Sequence, residues 1–238
     1  MRYYRQLKPI YAMSFDLDDT LYDNRPIIRQ VEQGVVAWLH QQHPVTATQS
    51  PEWWQALKLS VADATPEVKH DVSEWRYQQI FQGLKLLGYD DLKAKQAAEQ
   101  ALSLVLDMRS DFEVPSTTHQ VMASLAKKVP LIGITNGNVD AKRIGLSPYF
   151  QQVFRAGPDG RAKPYSDLFQ QAQQVLNLPP QNILHVGDHL RTDVSGARNN
   201  GFMACWFNDQ GRTLRHATKA RVLPDIEIVE LSELLELV

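Results

Sequence analysis

Five short apolar runs are the feature of this sequence that most restricts its fold. Each has the length of a β-strand, and helix-like stretches at 167–178 and 192–199 separate the later ones. Strands that alternate with helices form a parallel sheet with helices on both faces. The sequence therefore predicts an α/β fold with a Rossmann-like, doubly wound parallel sheet, whose strands lie at 11–16, 131–135, 152–155, 182–187 and 202–207.

The long segment between the first and second runs, 17–130, is the second constraint. It is far too long for one crossover loop, and no clear strand occurs in it. Apolar residues at three- and four-residue spacing predict helices there, at 25–40, 52–62, 72–87 and 92–108. We therefore expect a helical domain at 24–113, inserted into an α/β domain that residues 1–23 and 114–238 form together.

Local signals mark the ends of several elements. Pro26 is expected in the first turn of the first helix, and Gly88 is expected to end the third. Near the carboxyl end, a strand at 226–229 and a helix capped by Ser232 are expected to complete the α/β domain.

Composition and charge exclude several classes of protein. The 238-residue chain has 43% hydrophobic and 22% charged residues, which is ordinary for a globular protein. Its net charge of −2 argues against a general binder of nucleic acids or membrane surfaces. One cysteine, Cys205, cannot form a disulfide framework, and no apolar run has the length of a signal peptide core or a membrane span. We therefore expect a cytoplasmic protein that binds a small molecule, with no nucleic-acid, membrane or protein partner.

Asp16 and Asp18 follow the first predicted strand with one residue between them. In an open α/β sheet, ligands bind at the carboxyl ends of the strands. Two acids at this spacing suit a reaction in which one carboxylate attacks and the other moves a proton. The alternative is a solvated acidic turn, since Asp-Asp-Thr clusters are common in loops.

Two further segments follow predicted strands and carry groups that bind phosphate. Thr135 and Asn136 supply a hydroxyl and an amide, which donate hydrogen bonds to phosphate oxygens without adding charge. Lys163 precedes Pro164, which restricts it to an extended conformation and so fixes its ammonium group. An ordinary turn and a surface lysine are the alternative interpretations.

Asp188 and Asp193 lie at the end of the fourth predicted strand and the start of the next helix. A carboxylate at a strand end is well placed to bind a hard cation through oxygen. Asp193 fits equally well as a helix-start residue that the helix dipole favours.

The order Asp-x-Asp, Thr-Asn, Lys-Pro and Gly-Asp-x-x-x-x-Asp resembles the four motifs of the haloacid dehalogenase-like hydrolase superfamily. The helical insertion resembles the cap domain of that superfamily, so the resemblance covers essentially the whole chain. It implies that Asp16 attacks phosphorus and forms an aspartyl-phosphate. It also implies that Asp18 protonates the leaving oxygen and then activates the water that cleaves the intermediate.

The resemblance further implies a cofactor and a set of phosphate ligands. A Mg²⁺ ion would be held by the side chains of Asp16 and Asp188 and by the backbone carbonyl of Asp18. Because the metal balances charge that a phosphate dianion would otherwise meet, we expect its removal to abolish turnover. The remaining assignments are phosphoryl binding by Thr135, Asn136 and Lys163, and support of Lys163 or a metal-bound water by Asp193.

The predicted helical domain carries many aromatic residues, among them Trp38, Trp53, Trp54, Trp75, Tyr77 and Phe81. Most of them fit the core of a helical bundle. Trp53 and Trp54 are adjacent and point in different directions, so we expect at least one aromatic ring to face the active site. The candidate substrate contacts are Trp54, Trp75 and Arg76.

Beyond the superfamily, the chain resembles a bacterial group of phosphatases that act on flavin mononucleotide (FMN) and on 5-amino-6-(5-phospho-D-ribitylamino)uracil. Both substrates join a ribityl phosphate to a flat heterocycle, which suits an aromatic cap. His189 stands where this group is expected to have an acid, which affects only the finer hydrogen bonding around the metal. The matching segments are 2–5, 15–24, 70–72, 135–138, 155–158 and 184–188.

Other functions fit parts of the pattern. A dehalogenase releases halide, which needs no proton, so Asp18 argues against that reaction. A sugar phosphomutase or a sugar-phosphate phosphatase would keep both acids and the same insertion. A sensor that binds phosphate esters without turnover would need neither Asp16 nor Asp18.

Overall fold

The computed structural model describes residues 1–214 and 222–238 and divides into two compact units. One, called the sheet unit below, comprises Met1–Asn24, Glu113–Gly137 and Ala141–Val238. The other, called the helical unit, comprises Arg25–Phe112 and Asn138–Asp140. The last segment joins the helical unit through two hydrogen bonds: Asn138 Nδ2 donates to Ser73 Oγ (3.1 Å), and Asp140 N donates to Ser110 Oγ (3.0 Å).

A seven-stranded sheet forms the centre of the sheet unit in the described part of the chain. Its order is β1-β7-β6-β5-β2-β3-β4, and every neighbouring pair is parallel except β1 with β7. The predicted α/β fold class is therefore confirmed, whereas the antiparallel edge strand β1 was not predicted. The strands are β1 Arg2–Tyr3, β2 Ala12–Phe15, β3 Leu131–Thr135, β4 Gln152–Arg155, β5 Ile183–Gly187, β6 Met203–Phe207 and β7 Ile226–Ile228.

The central strands are apolar because they are covered on both faces. Every residue of β2, β3 and β5 is buried, which is the reason their sequences read as continuous apolar runs. Phe15 pairs with Gly133 on one side and with Val186 on the other. This register brings the carboxyl ends of β2, β3 and β5 to the same edge of the sheet.

Four α-helices build the helical unit, close to their predicted positions. Three begin at a side-chain cap: Ser50 accepts from Trp53 N, Asp71 from Ser73 N and Glu74 N, and Asp90 from Lys93 N. Gly88, with φ +95°, follows the third, in the left-handed region that glycine tolerates. The helices are α1 Arg25–Gln42, α2 Pro51–Ala64, α3 Val72–Leu86 and α4 Asp91–Arg109.

The core of the helical unit lies between α1, α3 and α4. The contribution of α4 is a face of small residues, which allows close approach of the neighbouring helices. Trp38, Tyr77 and Phe81 are only partly buried and pack around this core. Its buried members are Val31, Val35, Leu39, Ile80, Leu84, Ala94, Ala97, Ala98, Ala101 and Val105.

Three α-helices accompany the sheet in the described ranges: α5 Ser116–Ala126, α6 Asp167–Leu176 and α7 Gly196–Asn199. The expectation of one α-helix over 192–199 is wrong, because a π-helical turn, Leu190–Ser195, comes before α7. In this turn the backbone N–H groups of Asp193 and Val194 both donate to the carbonyl of His189. The wider turn accompanies an Asp193 side chain that is fully buried.

The carboxyl-terminal helix also differs from the expectation. It is a 3₁₀ helix, Leu231–Glu236, and Glu230 caps it in place of Ser232. Glu233 Oε1 accepts from the backbone N–H groups of Val229 and Glu230, which completes a reciprocal capping box. Among all helices in the described ranges, none is long and apolar enough to cross a membrane.

Candidate active site

The edge formed by the carboxyl ends of β2, β3 and β5 collects the acidic residues singled out in the sequence. Asp16 follows β2 directly and Asp188 follows β5 directly, while Asp193 lies in the π-helical turn beyond it. One carboxylate oxygen from each of the three lies within 4.8 Å of the other two. The strand register thus brings together residues that are far apart in the chain.

Lys163 is the buried cation of this cluster, with a side chain only 1% exposed. Its Nζ lies 2.9 Å from Asp16 Oδ1 and 2.6 Å from Asp193 Oδ1, and it donates to the carbonyl of Ile134 at 2.6 Å. Burial alone would lower the pKa of Lys163, but Asp16 and Asp193 raise it above its ordinary value. The ammonium group is therefore charged and fixed by three oxygens.

Asn136 fixes the main chain of Lys163. Its Oδ1 accepts from Lys163 N at 2.7 Å, and its Nδ2 donates to Lys163 O at 3.0 Å. Thr135 ends β3 and is fully buried, and its Oγ1 accepts from Gly137 N at 2.9 Å. The geometry thus gives the Asn136 amide a positioning part, and its predicted contact with phosphate stays a prediction.

Asp193 is held by a buried polar chain that sequence reasoning missed. His185 Nε2 lies 3.3 Å from Asp193 Oδ1, and His185 Nδ1 lies 2.9 Å from Ser14 Oγ. Since a carboxylate only accepts, Nε2 carries the proton and donates to Asp193, and Nδ1 accepts from the Ser14 hydroxyl. Burial lowers the pKa of His185 and keeps the ring neutral.

The charge of Asp193 is stabilised from several sides. Burial alone would raise its pKa, but Lys163 and His185 hold it below its ordinary value. Its Oδ2 also accepts from His189 N at 3.0 Å and from Thr192 Oγ1 at 3.3 Å. Gly187 leaves room for this carboxyl group, because a Cβ at that position would lie 2.5 Å from Asp193 Cγ.

Asp188 is held by contacts at its main chain and at its side chain. The indole Nε1 of Trp206, a fully buried residue, donates to its carbonyl at 2.9 Å. Arg212 Nη2 lies 3.2 Å from its Oδ2. Burial raises the pKa of Asp188 to about 7, with Asp193 adding to the effect and Arg212 opposing it.

Asp18 lies next to Tyr22 and Gly137. The Tyr22 hydroxyl donates to Asp18 Oδ1 at 2.5 Å. A Cβ at Gly137 would collide with Asp18 Oδ2. Gly137 therefore leaves the space that the second oxygen of this carboxylate occupies.

The donor set fits a divalent cation. Burial raises the pKa of Asp16 well above its ordinary value; Lys163 opposes this rise, and Asp193 and Asp18 add to it. A cluster that still favours protonation of Asp16 and Asp188 lacks positive charge, and carboxylate oxygens are the ligands that Mg²⁺ prefers. The residues present therefore fit a hard divalent ion.

The three residues predicted to contact the substrate make contacts with other residues of the helical unit. Trp54 packs edge-to-face on Trp53, with ring centroids 5.0 Å apart. Trp75 Nε1 donates to the Lys58 carbonyl at 2.8 Å, and its ring packs against a small buried cluster of Val61, Ala62 and Val68. Arg76 makes an ion pair with Glu32. Trp54 and Arg76 also line a cavity of about 240 Å³ within this unit, and their contact with substrate stays a prediction.

Some of the site residues that the sequence analysis missed have a recognisable sequence pattern, and others do not. Ser14 and His185 are polar residues inside strands that are otherwise apolar, a pattern that indicates a buried hydrogen bond. Tyr22 lies four residues after Asp18, which is compatible with a local contact. No sequence pattern indicates the contacts of Trp206 and Arg212, because their partner Asp188 is close to them only in the folded chain.

Comparisons with known proteins identify a family for this chain. The family model for haloacid dehalogenase-like hydrolases matches residues 10–201. The 5-amino-6-(5-phospho-D-ribitylamino)uracil phosphatase YigB of Escherichia coli is 43% identical over 238 residues, which is the full length of both chains. The crystal structure of a 2-haloacid dehalogenase from Pseudomonas syringae is 34% identical, with a TM-score of 0.89, and the match covers 96% of this chain and 97% of that one.

A more distant relative, the N-acylneuraminate-9-phosphatase of Mus musculus, is 26% identical over 87% of this chain and 86% of its own length. The range of the family match, residues 10–201, includes parts of both units and the positions of the four ordered motifs. The chain therefore belongs to the haloacid dehalogenase-like hydrolases, as the order of its motifs predicts.

Proposed function

We propose that this chain is a Mg²⁺-dependent phosphomonoesterase that hydrolyses 5-amino-6-(5-phospho-D-ribitylamino)uracil, with FMN as a second substrate. The observation that carries the proposal is the full-length identity of 43% to a phosphatase named for the first of these compounds. The arrangement of Asp16, Asp18 and Lys163 at one edge of the sheet supports the reaction type. The proposal also includes a location in the cytoplasm and a function that needs no protein partner.

In the first step, Asp16 attacks the phosphorus atom. Leu17 N and Lys163 Nζ both contact Oδ1, at 2.9 Å each, so we assign the attack to Oδ2. Transfer of the phosphoryl group to this oxygen breaks the bond to the ester oxygen of the substrate. Lys163 and the Thr135 hydroxyl bind the oxygens of the transferring group, where negative charge must be stabilised.

Asp18 moves the proton in both steps. In its acid form it protonates the departing alcohol oxygen, which makes that oxygen a better leaving group. The resulting carboxylate then takes a proton from the water that cleaves the aspartyl-phosphate. Tyr22 fixes the Asp18 carboxyl group through a hydrogen bond of 2.5 Å, which orients it for both transfers.

The cation would be held by the side chains of Asp16 and Asp188 and by the backbone carbonyl of Asp18. When bound, it supplies positive charge that lowers the repulsion between the carboxylates and a phosphate dianion. Asp193 keeps Lys163 in place through its contact of 2.6 Å. Trp54, Trp75 and Arg76 are the proposed contacts for the flat heterocycle.

A dehalogenase is the second candidate, because a protein 34% identical to this chain carries that name. Halide departs as an anion and needs no proton, so Asp18 would have no task in that reaction. Asp18 and the hydrogen bond from Tyr22 therefore favour phosphate ester hydrolysis. A phosphomutase and a non-catalytic sensor are the other outcomes that the test must separate.

The test is a release assay on purified protein with Mg²⁺. We expect phosphate release from 5-amino-6-(5-phospho-D-ribitylamino)uracil and FMN to exceed release from hexose phosphates, and a chelator to abolish it reversibly. A preference for hexose phosphates would contradict the substrate. Chloride release from 2-chloropropionate would indicate a dehalogenase, isomerisation of a hexose phosphate would indicate a mutase, and binding without turnover would indicate a sensor.

A further inference from the structure

Among the residues that the structure describes, Lys163 and Arg212 are the cations that contact the acidic cluster, and they differ in how firmly they are held. The side chain of Lys163 is 1% exposed and meets three oxygens. The side chain of Arg212 is 43% exposed and reaches Asp188 Oδ2 at 3.2 Å. Lys163 cannot leave without burying unpaired carboxylates, whereas a partly exposed guanidinium group can return to water at small cost.

The main chain of Arg212, in contrast to its side chain, is fixed. Asn208 is buried; its Oδ1 accepts from Arg212 N and its Nδ2 donates to Arg212 O, both at 2.8 Å. Asn208 Nδ2 also donates to Glu227 Oε1 at 2.6 Å, and Glu227 accepts from the Tyr4 hydroxyl. These hydrogen bonds connect the loop that carries Arg212 to β7. The main chain of Arg212 is therefore held in place while its guanidinium group contacts Asp188.

Arg212 and a divalent cation are therefore alternative counter-ions for Asp188. A divalent cation bound to its carboxylate would lie within a few ångströms of the guanidinium group, and the two positive charges would repel each other. The arginine side chain has solvent beside it into which it can turn. Its departure would leave the Asn208 contacts unchanged, because these involve only the backbone atoms of Arg212.

We propose that Arg212 is a displaceable counter-ion of Asp188, which neutralises this carboxylate before metal binding and competes with Mg²⁺ for it. This inference rests on the proposed function, because it concerns the same metal site. Arg212 then sets the Mg²⁺ concentration at which the enzyme becomes active. It also stabilises the metal-free protein, because it offsets the charge of the nearly buried Asp188 carboxylate.

The test is a calorimetric titration of Mg²⁺ into the full-length protein, with Arg212→Gln compared to the natural chain. We expect the dissociation constant to fall by about two- to fivefold, the range that a partly exposed ion pair corresponds to. High salt should reduce the difference, since it screens the pair. The matched control is Lys85→Gln, which removes one positive charge from a side chain that is 42% exposed and pairs with Asp91 in the helical unit, and it should leave the affinity unchanged.

Thermal unfolding gives a second measurement that does not depend on catalysis. Arg212→Gln should lower the Tm in the presence of a chelator and lose this deficit at saturating Mg²⁺. An unchanged or weaker Mg²⁺ affinity in Arg212→Gln, with normal binding by the natural chain, would overturn this inference alone. If the natural chain bound no Mg²⁺, or Asp188→Asn bound it equally well, the metal site of the proposed function would be wrong as well.

Discussion

The candidate site of the sheet unit and the core of the helical unit are buried by opposite means. At its functional edge the sheet unit buries Lys163 and Asp193, with side chains each 1% exposed. The helical unit buries a row of alanines on α4, including Ala98 and Ala101 at 0% exposure. A buried charge needs its particular partner, whereas an alanine face needs only a neighbour that fits closely. The first region therefore depends on chemical identity and the second on volume.

The largest effect is expected from Asp16→Asn in the sheet unit. The amide is neutral and a poor nucleophile, so phosphate release should fall by a factor on the order of 10⁴ or more. The control is Asp63→Asn in α2, the same chemical change on a side chain that is 82% exposed. It should retain full activity, and steady-state kinetics on both proteins check this. Turnover at the natural rate by Asp16→Asn would exclude this residue as the nucleophile.

Lys163→Met should be strongly destabilising, because it leaves Asp16 and Asp193 without their cation. Removal of one partner from a buried ion pair costs about 3–5 kcal/mol. Urea denaturation at neutral pH measures the free energy of unfolding. Lys95→Met, on a side chain 59% exposed in α4, should change it by less than about 0.5 kcal/mol. Equal losses of unfolding free energy in the two variants would contradict the claim that the buried site depends on the chemical identity of its residues.

Gly137→Ala tests whether the Asp18 carboxyl group needs the space that Gly137 leaves beside it. The added Cβ would collide with Asp18 Oδ2, so the carboxyl group must turn away from its position beside Tyr22. We expect kcat to fall by about 10- to 100-fold, in the range of a general acid–base contribution, with little change in Tm. In the helical unit, the Cβ of Gly34→Ala would meet only the flexible end of Met108. That variant should keep its kcat, and a loss as large as that of Gly137→Ala would contradict the comparison.

The smallest effect is expected from a change of volume in the helical unit. Ala101→Leu adds three carbons to a closely packed face and should cost about 1–3 kcal/mol of unfolding free energy. Ala101→Gly should cost about 1 kcal/mol through helix propensity alone. Both variants should keep their kcat per folded molecule, as denaturation curves and kinetics on the same samples would establish. A stabilised Ala101→Leu would mean that this face is not filled.

The parts of the fold that the sequence predicts are those with a local signal. The apolar runs of β2, β3 and β5 are visible because both faces of each strand are buried, and the helices of the helical unit are visible in the three- and four-residue spacing of their apolar residues. The Ser232 cap was predicted wrongly, because Glu230 and Glu233 form a reciprocal pair that begins the helix earlier. The π-helical turn was missed because it depends on where the Asp193 side chain lies.

For the candidate site, order along the chain predicts more than spacing does. Asp16, Lys163 and Asp188 are recognisable because each follows a strand of a parallel sheet, and such strands end at one edge. The partners that fix them are not recognisable in the same way. Trp206 contacts Asp188 only because β6 lies beside β5, and the loop with Arg212 is positioned by Asn208. Tertiary neighbours of this kind need the sheet order, which the sequence does not reveal.

The pairing of Phe15 with Gly133 and Val186 limits how the length of this chain can vary. One residue inserted inside β5 would reverse the alternation of its side chains, and His185 would exchange faces with its neighbours. Residues added to the connection between α6 and β5 would leave that alternation intact. Natural relatives should therefore differ in the lengths of their connections and agree in the lengths of their central strands.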